Sequence, residues 1–538
     1  MINTSLLLTL LLCLWAVRGE AATYYVGSAG SDSNSCATAQ TIGTPKLTIN
    51  SGVACLAAGD TLLVRTGTYN EGLINPSLAS GTSWANTVRI ANYNSETVTM
   101  RPLTNAVSGG RVVLLDGTYS YIEFDGIDMD GSLLSGTECA FWVSTNNLNN
   151  PHHIRLKNAE VIGGTIGSGA AVCLGSSNRV VSSPGGNEVQ SVVIHGGGIA
   201  GSCGFACSSY GIYVAGPNNL MEDVEIYDTS GACVHIYAGS GDAANSNIVR
   251  RMNCHDVTRY GDASQLWGVL VSGDNNQIYN NLIANIDGGS VGDGIYVYTG
   301  TGTDIWNNTI YNVRVRGINL SADASTTEVR NNIVYIAGTA TYTNNGTGTV
   351  ATTNLFTDPT FVNAAAANYQ LQATSAAIDG GTTVAGVTTD YAAVARPQGA
   401  AYDIGAYEYT ASSGPTVTIQ QPTTGATYTL AASPLTTLAG ICADDLGVSS
   451  VTWVNDRGGS GTATGTTSWS VASITLQDGA NVLTVTCTDT NSNTGTDVLT
   501  VTVPPVNRFR LKGLRAWWKW LSRHEANAML VARYDPAY

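Results

Sequence analysis

The strongest pattern of hydrophobic and polar positions in this chain is a repeat. The apolar residue opening each of "VRRMN", "IYNNL", "IWNNT" and "VRNNI" is Val249, Ile278, Ile305 and Val329, at spacings of 29, 27 and 24 residues. The first three are followed five positions on by Cys254, Ile283 and Ile310, and eight positions on by Val257, Ile286 and Val313. Weaker copies begin at Tyr121, His153, Ser191 and Leu220. A second run interleaves with these: "GIYVAG" from Gly211, "CVHIYAG" from Cys233, "GVLVSG" from Gly268, "GIYVYTG" from Gly294 and "GINLSA" from Gly317. Alternation with a period of two marks half-buried strands. Short strands at a fixed repeat, with no helical periodicity between them, predict a parallel β-solenoid.

The paired asparagines of "IYNNLIANI", "IWNNTIYNV" and "VRNNIVYIA" recur at one place in successive repeats. Coils stack at the inter-strand spacing of about 4.8 Å, so equivalent side chains lie over one another. An amide both donates and accepts, and a stacked row of them can hydrogen-bond along its own length. Asn also tolerates the left-handed backbone of a sharp bend. The pair therefore reads as a structural device rather than a catalytic one.

From Pro415 the pattern changes. "PTVTIQQPTTGATYTL", "VSSVTWVNDRGG", "TTSWSVASITL", "GANVLTVTCTDTNSNTG" and "DVLTVTV" are strands at the spacing of an immunoglobulin-like sandwich over residues 415–503. Cys442 and Cys487 are placed to staple its sheets, with Trp453 packed nearby. "DTNSN" from Asp489 has the spacing of the first calcium-loop ligands but no Glu at the twelfth position, and reads as a polar hairpin turn. The tail, residues 504–538, is basic and Trp-rich, with Trp517, Trp518 and Trp520 beside Arg515 and Lys519. Such a stretch suits a cell-surface or membrane-interface contact. Its rival reading is a helix docked on the protein's own acidic body.

Composition narrows the class. Only 12% of the 538 residues are charged, 43% are hydrophobic and 61 are Gly, which argues against disorder and for a β-rich, turn-rich extracellular protein. The net charge is -15, and the basic tail leaves the rest more acidic still, so nucleic acid is not an expected partner. Residues 1–22 read as a signal peptide; their apolar run of about 12 residues is shorter than the ~20 of a membrane anchor. Cys13 aside, the other ten cysteines pair by proximity as Cys36 with Cys55, Cys139 with Cys173, Cys203 with Cys207, Cys233 with Cys254, and Cys442 with Cys487. That count suits an oxidising compartment, although sequence leaves the connectivity open.

Residues 23 to 73 carry an extended strand, a Gly/Ser loop, a helical stretch and "AGDTLLVRTGTYNE". This resembles the opening of the pectate-lyase-like superfamily, in which the helix caps the solenoid. "AAIDGGT" from Ala376 and "RPQGAAYDIGAYEY" from Arg396 resemble the closing segment of many secreted bacterial members. The resemblance covers about residues 23–410. It implies an all-β chain: a right-handed, single-stranded parallel β-helix over 23–410, ahead of the sandwich. The superfamily holds lyases, hydrolases, epimerases and non-catalytic surface proteins, so the fold does not fix the activity.

Aligning the second set of strands gives outward rows. Tyr213, His235, Leu270, Tyr296 and Asn319 form one; Tyr210, Trp267, Asp293 and Arg316 another; Tyr237, Ser272, Tyr298 and Ser321 a third. Aromatic rings offer flat faces with a polar handle, suited to sugars; the rival reading is lateral packing across strands. Tyr210, Tyr213, Tyr237, Trp267 and Tyr298 are the expected substrate contacts. Charged residues lie nearby: Asp256, Arg259, Asp262, Asp287, Asp293, Arg314 and Arg316, with His255. A polysaccharide lyase neutralises a uronate carboxylate, removes the C5 proton and protonates the leaving oxygen, work open to Arg, Tyr and His, in some cases with calcium. The expected catalytic residues are Arg259, Arg316, His235, Tyr296 and Asp293. Only four lysines exist and Lys157 alone lies in the coils, so a Lys base is poorly supported. Hydrolysis is less favoured, since no Asp-Asp pair occurs in the coils and "HGGG" at His195 is not the Gly-His-Gly of polygalacturonases. Asp125, Asp128 and Asp130 offer a candidate calcium cluster, with a polar turn as the rival; calcium is the one cofactor in view and no metal ligand is assigned. The reading is a secreted or cell-surface monomer that binds polysaccharide and acts as a lyase or epimerase on acidic glycans. The alternative is a non-catalytic adhesion protein.

Overall fold

The computed structural model describes residues 21–103, 110–134, 139–144, 150–163, 169–175, 184–196, 209–239, 244–258, 265–287, 291–410, 414–444, 447–490 and 492–505. The signal-peptide core, Cys203 with Cys207, Arg259 and nearly all of the basic tail lie outside them. The chain divides into two compact units, residues 1–410 and 411–538.

The first unit is a parallel β-helix. One coil runs through Ile248–Arg250, Asn253–Thr258 and Gln265–Ser272, and the next repeats it at Gln277–Tyr279, Leu282–Asp287 and Val291–Thr301. The first and second strands of successive coils form a sheet of 20 described strands, and the third strands a parallel sheet of ten. The predicted register holds. Val249 pairs with Ile278, Ile278 with Ile305 and Ile305 with Val329, while Cys254, Ile283 and Ile310 pair in turn. All seven side chains are fully buried in one continuous core. The upstream copy from Ser191 is the exception: its coil begins at Glu188, which pairs with Arg155.

The glycine repeated in the third strands has a packing cause at Gly211, Gly268, Gly294 and Gly317. A Cβ on Gly294 would meet Ile310 Cγ2 at 2.6 Å and the Gly317 carbonyl at 2.7 Å; between Gly211 and Gly268 the position is held by Cys233, which is bonded to Cys254.

The asparagine pair divides its work. Asn280, Asn307 and Asn331 carry positive φ of 54°, 50° and 57° and make the corner. Asn281, Asn308, Asn332 and Asn354 form the ladder, each Nδ2 donating to the next Oδ1 at 2.9 Å. A second ladder, unmarked by paired asparagines, runs Asn187, Asn219, Asn247, Asn276 at the preceding corner. All these ladder members but Asn354 are buried, and each backbone bend is thereby hydrogen-bonded without water.

The ends are closed differently. A helix at Ile49–Val53, capped by Thr48 Oγ1 accepting from the Ser51 N–H, sits over the opening coils. At the other end, residues 355–410 fold back across the second strands. Phe361, Tyr369, Leu371, Ile404 and Ala406 pack on Leu282, Ala284 and Ile333, and Val384 and Val387 on Tyr279 and Trp306. The first asparagine of each pair holds this cover: Asn280 Nδ2 donates to the Thr389 carbonyl (2.7 Å), Asn307 to Asp403 (3.1 Å) and Asn331 to Thr382 (2.7 Å). At its centre Arg396 and Glu408 are both fully buried and paired at 2.6 Å.

The disulfides Cys36–Cys55, Cys139–Cys173, Cys233–Cys254 and Cys442–Cys487 form as expected. The second unit packs a three-stranded and a five-stranded sheet around one core, consistent with a sandwich and stapled by the last of these. Its buried tryptophan is Trp469, 2% exposed, while Trp453 packs only at the margin. Trp453 shares the parity of Val451, opposite to exposed Val454, and packs half-buried against the same core as Cys442 and Cys487, as expected. Asp489 accepts from the N–H and Nδ2 of Asn493, as a hairpin turn requires.

Candidate functional site

The third-strand sheet brings the predicted rows together. Tyr213, His235, Leu270, Tyr296 and Asn319 pair in succession, as do Ala232, Trp267, Asp293 and Arg316. The row through Tyr298 is corrected: a bulge after Val271 pairs Ser272 with Thr299, and Tyr298 stands out at 54% exposed. The face is also less open than alternation alone implied. His235 is 8% exposed, Trp267 6% and Asp293 0%.

Two groups result. The first is aromatic: His235 lies 4.7 Å from Tyr210, 5.1 Å from Tyr213 and 5.4 Å from Tyr237, centroid to centroid. Burial pushes the His235 pKa down to about 4, so the ring is neutral at neutral pH. Its Nδ1 and the Trp267 Nε1 are buried without a hydrogen-bond partner among the described residues. The second group is polar. Asp293 Oδ1 accepts from Arg316 Nε (2.9 Å) and Oδ2 from Asn319 Nδ2 (3.0 Å). Burial raises the Asp293 pKa against the pull of the guanidinium, and burial also raises that of Tyr296. Trp267 lies 6.4 Å from Tyr296, and Tyr296 6.0 Å from Tyr298. His235 and Tyr296 are separated by the Leu270 strand, two steps of about 4.8 Å, so the predicted catalytic residues do not meet at one atom. Asn319, the second partner of Asp293, was visible only as a row position.

Other candidates have structural work. Asp125 binds Arg89 and accepts from Asn158 (2.7 Å), Asp128 accepts from the Glu160 N–H (2.9 Å) and Asp130 from the Ser132 N–H (2.9 Å). No cluster of three His, Cys, Asp or Glu among the described residues is placed to hold a metal. His255 stacks on Tyr227 at 5.3 Å and contacts Asp256 at 2.9 Å, in the other sheet. A cavity of about 450 Å³ lined by Asp256, Asn285, Asp287, Asn312 and Arg314 opens there.

The His235 environment makes stability depend on pH. The folded pKa lies below the unfolded value of about 6.5, so the unfolded chain binds more protons between pH 6.5 and 4. The contribution is complete above about pH 6.5 and is lost as pH falls toward 4. Replacing His235 with Phe should flatten the fall in melting temperature over that window, read as the difference between variant and wild type; parallel curves would contradict the assignment.

Together the coils define a right-handed parallel β-helix protein. The family model described as "Right handed beta helix region" matches residues 143–332 and, overlapping, 210–384. Among solved structures, a pectate lyase is similar at 14% identity and a TM-score of 0.50, covering 73% of this chain and 97% of that one. An alginate lyase from Paenibacillus sp. aligns at 15% identity and TM-score 0.37 (62% and 99% covered), and a periplasmic alginate epimerase at 11% and 0.31 (56% and 78%). No curated protein matches the sequence.

Proposed function

We propose that this chain is an extracellular, polysaccharide-acting β-helix protein whose third-strand face carries β-elimination or epimerisation on an acidic glycan. One observation carries the reading: buried Asp293 clamps Arg316 through Nε and leaves its two Nη groups without a partner among the described residues. A guanidinium held this way is a pre-formed fork for a carboxylate. Pairing with the uronate carboxylate would stabilise the charge that develops when a base takes the C5 proton. The C4–O bond then breaks, the C4–C5 double bond forms, and the leaving oxygen takes a proton. Tyr296, whose hydroxyl burial pushes further above its ordinary range, is the donor. Arg259, eight residues before Trp267 in the sequence and outside the described residues, is the candidate base. In epimerisation the C5 carbanion is instead reprotonated from the opposite face. The disulfides support an oxidising compartment, and the solved lyases and epimerase of similar fold support the substrate class.

Ultraviolet absorbance of the unsaturated product, measured on uronate polymers with and without calcium, tests the lyase form. Arg316→Ala and Tyr296→Phe should each lower the rate at least about tenfold, with melting curves showing both variants folded at the assay temperature. Activity that survives both replacements removes this site. The second reading, a non-catalytic glycan-binding surface protein, is favoured by the full burial of Asp293; it predicts binding without product.

A further inference from the structure

We propose that the third-strand face binds a heteropolysaccharide in which a uronate is joined to uncharged sugars, lying along the solenoid axis, and that it discriminates against homopolymeric uronans. The inference rests on the glycan reading above and adds composition and direction.

Direction follows from the rows. Equivalent outward positions repeat every coil, about 4.8 Å apart along the axis, a step comparable to one residue of an extended sugar chain. A glycan lying along the axis therefore meets one coil per sugar. A glycan lying across it would meet the side chains of a single strand.

Composition follows from charge. Arg316 is the single cationic residue among the described strands of the ten-stranded sheet, and Asp293 already opposes it at 2.9 Å. The fork can take one carboxylate. Trp267 two coils back, and His235 three coils back, offer no cation. They offer a neutral imidazole Nδ1 and an indole N–H, both more than nine-tenths buried and both unpartnered among the described residues. Buried polar atoms left unpaired are costly and mark a missing partner. A sugar hydroxyl can pair with Nδ1 in either imidazole tautomer and can accept from Nε1–H. A carboxylate can only accept, and burying one there without a counter-charge is unfavourable. Tyr210, Tyr213 and Tyr237 surround this end with ring faces suited to the C–H face of a pyranose. A homopolymeric uronan would set a carboxylate at every coil, against this uncharged end.

Titration of the full-length protein with fragments of gellan, whose uronates are separated by neutral sugars, and with polygalacturonate and alginate fragments of matched length, tests this. Gellan should bind at least tenfold more tightly. Arg316→Gln should weaken gellan binding, and so should Trp267→Phe, which keeps a ring but removes the N–H, with melting curves showing both variants folded. Equal or tighter binding of polygalacturonate or alginate overturns the composition and leaves the glycan reading standing. Unchanged gellan affinity in Trp267→Phe also overturns it. If none of the three polymers binds, both readings fall.

Discussion

Replacing Arg396 with methionine is expected to destabilise the β-helix unit by about 3–5 kcal/mol, the usual cost of breaking a buried ion pair from one side. The guanidinium lies at the centre of the cover. Its Nη1 donates to Glu408 Oε1 (2.6 Å) and the Asp403 carbonyl (3.2 Å), and its Nη2 to the Gly405 carbonyl (2.8 Å) and Asn280 Oδ1 (3.2 Å). Glu408 is fully buried and would be left with no counter-ion. Asp403, also buried, has its pKa pushed up to about 6 by burial. Because that folded value exceeds the unfolded one of about 3.9, the stability Asp403 lends is present at low pH and lost as pH rises toward 6. The Arg396→Met defect should therefore be largest above about pH 6 and shrink toward pH 4, as measured by urea unfolding at each pH. A change below about 1 kcal/mol at neutral pH would mean that the cover does not depend on this residue. Arg396→Met with Glu408→Gln should recover part of the loss, since removing both charges leaves no buried ion.

Asn308→Ala should be the second large effect, and Asn307→Gly, one residue away, a small one. Asn308 Oδ1 accepts from both the backbone N–H (3.1 Å) and Nδ2 (2.9 Å) of Asn281, and its Nδ2 donates to Asn332 Oδ1 (2.9 Å) and the Ile278 carbonyl (2.8 Å). Alanine orphans the Asn281 N–H in a site with no solvent exposure, at about 1–3 kcal/mol, and breaks the ladder bonds to Asn281 and Asn332. Asn307 instead contributes its backbone, at φ 50°, and one amide to the cover. Glycine adopts that backbone freely, so the losses are the bonds to the cover and one long contact from Asn331 Nδ2 (3.4 Å), about 1 kcal/mol in all. Chemical denaturation of the two variants reads the contrast. Equal losses would show that the corner, not the ladder, carries the stability.

The fold was legible because a solenoid writes its register into the sequence. Val249, Ile278, Ile305 and Val329 need only be aligned, and each outward row follows from period two. The second ladder escaped notice because it uses one asparagine per coil and ends at Asn276, with buried Thr303 and Thr327 taking the position in the next coils, so no repeated dipeptide marks it. The cover was legible only as a resemblance at its "RPQGAAYDIGAYEY": Arg396 reaches Asn280 across 116 residues, a separation at which no local period operates. At the site, parity gave the right face but not its depth. Asp293 looks like any outward residue in "DGIYVYTG", and nothing local reveals that Arg316 and Asn319 of the next coil enclose it. The bulge that displaces Tyr298 is likewise a disagreement between neighbouring coils, seen only when both are in place.

The asparagine ladder has one more consequence. Each amide is served only by the coils directly before and after it, so a coil carries the means of its own attachment. Duplicating or deleting a whole coil preserves every hydrogen bond at the junction, provided the unit begins and ends at the same corner. A coil inserted between those of Trp267 and Asp293 would move the aromatic group relative to the Arg316 fork by one fixed increment and alter neither. The spacing between the two ends of the face is thus a heritable integer, set by coil number rather than by side-chain identity.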